Sequence, residues 1–218
     1  MPPARVLDLI RAFFPDFLRL VEDEADRFLD FETVSFPLEE RGLSPEARSE
    51  LGLAAEIHDL AGEKITILVQ VVPEALLEAE IARWVRRLAQ ILFLRLGDPF
   101  LVIFVMLGKG LPGLNVDSAV VARVFQLVAA RIHYTTFSLG GSRAEYYLER
   151  PEPLACALAS SMLSRVGRAE HKWACVERIQ KASLAEEHRE LLLGFIEACL
   201  CLTPEEEESF ARISGLPA

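Results

Sequence analysis

No apolar run in this sequence is both long enough and free enough of charge to cross a bilayer. The nearest candidate, Ile91 to Leu107, is broken by Arg95, Gly97, Asp98 and Pro99. An export signal is lacking as well: Asp8 and Asp16 come early, and no A-x-A-like cleavage site follows an apolar segment. Cysteine is scarce. Cys156, Cys175, Cys199 and Cys201 form no C-x-x-C pair and have no histidine at ligand spacing, which removes the usual zinc patterns. Four reduced, mostly buried thiols in a cytoplasmic protein are therefore expected. His58, His133, His171 and His188 show no triad spacing, and each reads as structural or surface. No glycine cluster matches G-x-x-x-x-G-K-[ST], so "GKGLPGLN" reads as a loop rather than a phosphate cradle. Positive charge is in deficit, with 23 Lys and Arg against 33 Asp and Glu and a net charge of -10. Affinity for nucleic acid comes from Lys and Arg that displace counterions. The balance favours a protein partner, self-association or a small molecule, with nucleic-acid binding weak or none and no membrane.

What is present is enough apolar material for a core. Hydrophobic residues make up 51% of 218, which suits one domain, or a domain with an appendage. Val6, Leu9, Ile10 and Phe13 fall at helical spacing, and Phe14, Phe17, Leu18 and Val21 extend the stripe. Pro15 interrupts it, so a kink or two abutting helices are expected. "DFETVSFP" alternates as a strand, and a loop with one helical turn at Ser44-Pro45 follows. "PFLVIFVML", from Pro99 to Leu107, reads as a central strand buried on both faces, and "AARIHYTTFSL" as a further strand. After Gly140-Gly141 every segment reads as helix. Thr203, Pro204 and Glu206 make a helix start with a capping box. The expected division is an α/β core over residues 1–140 and a helical extension over residues 141–218.

A hairpin within the core carries the most information. In "LGLAAEIH", Leu51, Leu53, Ala55 and Ile57 share one face, and Gly52, Ala54, Glu56 and His58 the other. In "KITILVQVV", Ile65, Ile67, Val69 and Val71 oppose Thr66, Leu68, Gln70 and Val72. Apolar faces align only if an odd loop of about five residues pairs His58 with Lys64, Glu56 with Thr66 and Gly52 with Gln70. Pro73 then opens a helix with an apolar stripe through Leu76, Leu77, Ile81, Trp84, Leu88, Ile91 and Leu92. Arg83, Arg86 and Arg87 lie on its polar side and are the candidates for phosphate contact.

The order of helix, strand, hairpin, helix and strand resembles the core of PD-(D/E)XK nucleases. "FFPDFLRL", "LVQV" followed by "ARWVRRL", "AEYYLERPEPLACALASSML" and "HRELLLGFIEACLCLTPEEEESF" resemble the Rpn-like family of recombination-promoting, transposase-related nucleases. The likeness runs from about residue 10 to about residue 210 and is strongest at its C-terminal end. It implies a mixed sheet flanked by helices, with a C-terminal all-helical extension. It also implies a metal site on the hairpin, where an Asp and a Glu on adjacent strands hold Mg²⁺ to activate water. In this chain the Asp position falls on Gly52 and the Glu position on Val72. The family His falls on Gln70, and the following Gln on Glu74 beyond Pro73. Neither Gly nor Val ligates a cation. Asp16 and Glu56 are the carboxylates that could stand in, although a solvated helix position is the ordinary reading of Asp16. Glu56 lies roughly 13 Å along the strand from Gly52. Glu74 also suits a helix's first turn, where the dipole favours a carboxylate. The reading is an inactive family member without a metal or other cofactor, acting by protein interaction or regulation. The alternatives are an Mg²⁺-dependent DNA endonuclease with relocated carboxylates, and a structural homo-oligomeric protein.

Overall fold

The computed structural model describes residues 2–37, 52–73, 79–86, 100–108, 113–124 and 127–215. Two short helices open the chain, α1 (Pro3–Ala12) and α2 (Phe14–Val21), each with proline in its first turn. Proline costs nothing there, because the first amides of a helix have no internal partner. The two helices abut at Phe13, whose backbone is neither helical nor extended. A 3-10 turn (Ala25–Arg27) leads into β1 (Leu29–Ser35).

The hairpin follows as β2 (Leu53–Asp59) and β3 (Lys64–Val72). Its antiparallel register pairs His58 with Lys64 and Glu56 with Thr66, as the alternation requires. The turn is fixed by Asp59, whose carboxylate accepts from the backbone amides of Ala61 (2.9 Å) and Glu63 (2.7 Å). Gly62 supplies the left-handed residue at φ 87°. A helical segment, α3 (79–86), precedes β4 (Phe100–Met106). Then come β5 (Gly113–Val124) and β6 (Leu127–Ser138). The strands form one sheet in the order β1-β2-β3-β4-β6-β5. β3, β4 and β6 run parallel, and the other neighbours pair antiparallel.

β4 lies between β3 and β6, as its unbroken apolar sequence anticipates. β5 is a correction. Gly113, Leu114 and Asn115, read from sequence as loop, pair with Ser138, Phe137 and Thr136. Glycine and asparagine are poor strand formers, and here the partner strand overrides that preference. The Ser44-Pro45 turn and most of the helix after Pro73 lie outside the described residues.

Five helices complete the chain: α4 (Ala144–Leu148), α5 (Pro153–Ala159), α6 (Arg168–Lys181), α7 (Glu186–Cys199) and α8 (Pro204–Ser214). The mixed sheet is thus flanked by helices and followed by a helical C-terminal part. One face of the sheet, with Leu53, Ala55, Ile57, Ile67, Val69, Val71, Ile103, Val105 and Phe137, shares a buried cluster with α1, α2 and α4–α7. Apolar residues from both sides of Gly141 enter this cluster. The opposite face, with Ala54, Leu68, Val102, Phe104, Val120 and Tyr134, packs against Ile81 and Val85 of α3. At α8, Thr203 accepts from the Glu206 amide while the Glu206 carboxylate accepts from the Thr203 amide, completing the capping box. Lys172 is almost fully buried beneath α8. Its ammonium donates to Glu197 at 2.7 Å and lies 5.1 Å from the centre of the Phe210 ring.

Candidate functional site

Gly52, Gln70 and Val72 project to the face that α3 covers, because β-strand side chains alternate and Leu68 of that face lies between Thr66 and Gln70. The hairpin register puts Gly52 beside Gln70. Gly52 has φ 66°, a conformation glycine tolerates and other residues resist. A Cβ added there would lie 2.4 Å from the Val69 carbonyl oxygen and 2.5 Å from Gln70 Oε1. The glutamine side chain therefore fills the space that a side chain at position 52 would enter. Gln70 is buried, and its Oε1 has no hydrogen-bond partner among the described residues. Val72 is also buried. This end of the hairpin is a closed, mostly apolar surface with one unsatisfied amide oxygen.

The remaining candidates are dispersed. Glu56 stands opposite Thr66, at the turn end of the hairpin, and its carboxylate is 3.8 Å from Lys64 Nζ. Asp16 lies on α2, whose buried residues belong to the cluster on the other side of the sheet. It pairs with Arg19 at 3.3 Å. Burial raises its carboxyl above the ordinary range, and Arg19 opposes that rise. Arg83 and Arg86 are exposed on α3. Glu74 and Arg87 lie outside the described residues. The structure brings Gly52 and Gln70 into contact and separates both from Asp16 by the thickness of the sheet. Among the described residues no cluster of three His, Cys, Asp or Glu side chains is arranged to hold a metal ion.

The thiols are free, and their burial grades along the chain. Cys156 and Cys175 are buried, Cys199 is half-buried, and Cys201 is exposed. Burial pushes Cys175 up to about 12. The exposure of Cys201 corrects the expectation of general burial. It lies beyond the end of α7, where the helical apolar pattern no longer fixes which way a side chain faces.

Two features carry no motif and were not apparent in the sequence. One is Arg150, which donates to Asp23 (2.6 Å), to Glu152 (3.2 Å) and to the Arg19 carbonyl in the last turn of α2 (3.0 Å). It ties the chain after α4 to the N-terminal helices, and its only sequence signal is a position before Pro151. The other is a cavity of about 540 Å³ lined by Leu20, Val21, Leu114, Arg143 and Tyr146, among others. No helix among the described residues is long and apolar enough to cross a membrane. Comparison with protein-family models, with curated proteins and with solved structures gives no match.

Proposed function

We propose that this chain is a catalytically inactive relative of the Rpn-like PD-(D/E)XK nucleases that acts through protein contacts or regulation. The element order supports the relationship: helices, a strand, a hairpin, a helical crossover and a parallel strand. The single observation that carries the inactive reading is the contact between Gly52 and Gln70. Nuclease chemistry of this kind needs two carboxylates on adjacent strands, close enough to share a hard cation. At the Asp position stands a glycine with a left-handed backbone, and the Gln70 amide occupies the adjoining space. Restoring a carboxylate would mean moving both the Gln70 side chain and the Val69 carbonyl. The net charge of -10 also opposes approach to a polyanion, although exposed Arg83 and Arg86 permit a local contact.

The test is nicking of supercoiled plasmid with Mg²⁺ or Mn²⁺. The wild type is expected to leave the plasmid intact with either cation, at any enzyme excess that keeps the DNA soluble. Cation-dependent cleavage abolished by Glu56→Ala or Glu74→Ala would replace this reading with the relocated-carboxylate endonuclease.

A further inference from the structure

The parallel strands end on one rim: β3 at Val72, β4 at Met106 and β6 at Ser138. Leu139 continues the link by donating its amide to the Met106 carbonyl at 2.8 Å. The chain then turns through Gly140 and Gly141. A Cβ on Gly140 would lie 2.5 Å from the Leu107 carbonyl oxygen and 2.7 Å from that of Gly108. Only a glycine lets the two strand ends approach this closely, and the approach carries Gly141, Ser142 and Arg143 over the rim.

The cavity of about 540 Å³ lies beside Gly141, Ser142 and Arg143, between the end of α2 and β5. Its apolar wall is Leu20 and Val21 from the end of α2, with Leu114 from β5. The volume falls within the range of small-molecule sites.

The lining charges are not equivalent. Arg150 is engaged with Asp23, Glu152 and the Arg19 carbonyl, which leaves Asp23 paired. Glu22 accepts from the Glu24 amide at 3.3 Å. Arg143 is exposed and makes no side-chain hydrogen bond among the described residues; its charged neighbour there is Glu145. Its backbone is nonetheless pinned on both sides. Leu163 donates its amide to the Ser142 carbonyl (2.9 Å) and accepts from the Ala144 amide (2.8 Å). Beside it, the Tyr146 ring is 60% exposed and is backed edge-on by Tyr147, with centroids 5.3 Å apart. Tyr147 is itself buried against Phe137, with ring centroids 5.6 Å apart, so that ring is held in place.

We propose that this cavity binds a small organic anion with a flat apolar body. The acid group pairs with Arg143, and the body lies against Tyr146, Tyr147, Val21 and Leu114. A guanidinium fork suits a carboxylate, sulfonate or phosphate, and an aromatic face suits a planar ring. This site is on the sheet face opposite Gly52 and Gln70, so it stands independently of the nuclease relationship.

The experiment is a fluorescence titration of the full chain with 8-anilinonaphthalene-1-sulfonate, beside its neutral parent N-phenyl-1-naphthylamine. One saturable site for the anionic dye is expected. Arg143→Gln should weaken the anionic dye about tenfold and leave the neutral dye unchanged, because it removes one charge-assisted contact. Tyr146→Ala should weaken both dyes. Both residues are exposed, and an unchanged urea midpoint confirms that each variant is folded. The absence of saturable binding by the anionic dye overturns the proposal. So does equal affinity of wild type and Arg143→Gln for that dye.

Discussion

The two faces of the sheet are buried in different ways. One is sealed by helices from both ends of the chain, and its largest side chains, Phe14, Phe17 and Phe137, are fully enclosed. Most polar groups near that core have partners: His171 meets the Ala159 carbonyl at 3.1 Å, and Ser160 donates to the Ala157 carbonyl at 2.6 Å, while Glu145 Oε2 on α4 has none among the described residues. On the other face Thr66 Oγ1, Gln70 Oε1 and Ser138 Oγ are buried with no hydrogen-bond partner among the described residues. A buried polar atom without a partner costs about 1–3 kcal/mol. Selection for stability alone would replace it with an apolar group. The first face is a core closed mainly by apolar contacts, and the second buries more polar atoms without partners among the described residues.

The largest effect should come from the sealed face. Phe14→Ala removes a fully buried ring that packs edge-on against Phe36, with centroids 5.6 Å apart, and should cost about 3–5 kcal/mol. A urea titration measures this, and a loss below ~1 kcal/mol would erase the contrast between the faces. Gly52→Ala comes next. It forces a left-handed alanine against the Val69 carbonyl and should cost about 2 kcal/mol. Adding Gln70→Ala should recover only part of that loss, because the backbone clash remains. Full recovery in a double-mutant cycle would mean that the side chain alone blocks position 52.

A pH series separates paired from unpaired polar groups. Burial holds His171 below its ordinary pKa of 6.5 and keeps it neutral in the fold. The unfolded chain therefore binds a proton first, and stability falls as pH drops below about 6.5. Wild type should lose more of its urea midpoint between pH 8 and pH 5.5 than His171→Gln, and equal losses would show that another group controls the acid limb. The smallest expected effect is a gain. Thr66→Val removes an unsatisfied hydroxyl at nearly constant shape and should raise stability by about 1 kcal/mol. A loss instead would show that the hydroxyl has a role in the folded state.

Much of the frame was legible in the sequence because it is set locally. Pro3 and Pro15 mark two helix starts, and the Thr203-Glu206 box marks a third. The His58–Lys64 pairing followed from alternation alone, since a slip of one residue would expose every core side chain of the hairpin. β5 was not legible, because Gly113 and Asn115 become strand only through their partner β6. At the candidate site the sequence placed Gly52 beside Gln70 through the hairpin register, but not the Gln70 side chain that closes over Gly52.

The sequence by itself determined the helix starts and the hairpin register. These depend on residue type and on spacing over a few positions. Tertiary structure alone decided that Gln70 closes over Gly52, that Asp16 lies across the sheet from them, and that Arg143 lines a cavity. Each is a relation between segments far apart in the chain. Local spacing does not encode such relations, which are fixed only when the strands pair and the helices choose a face.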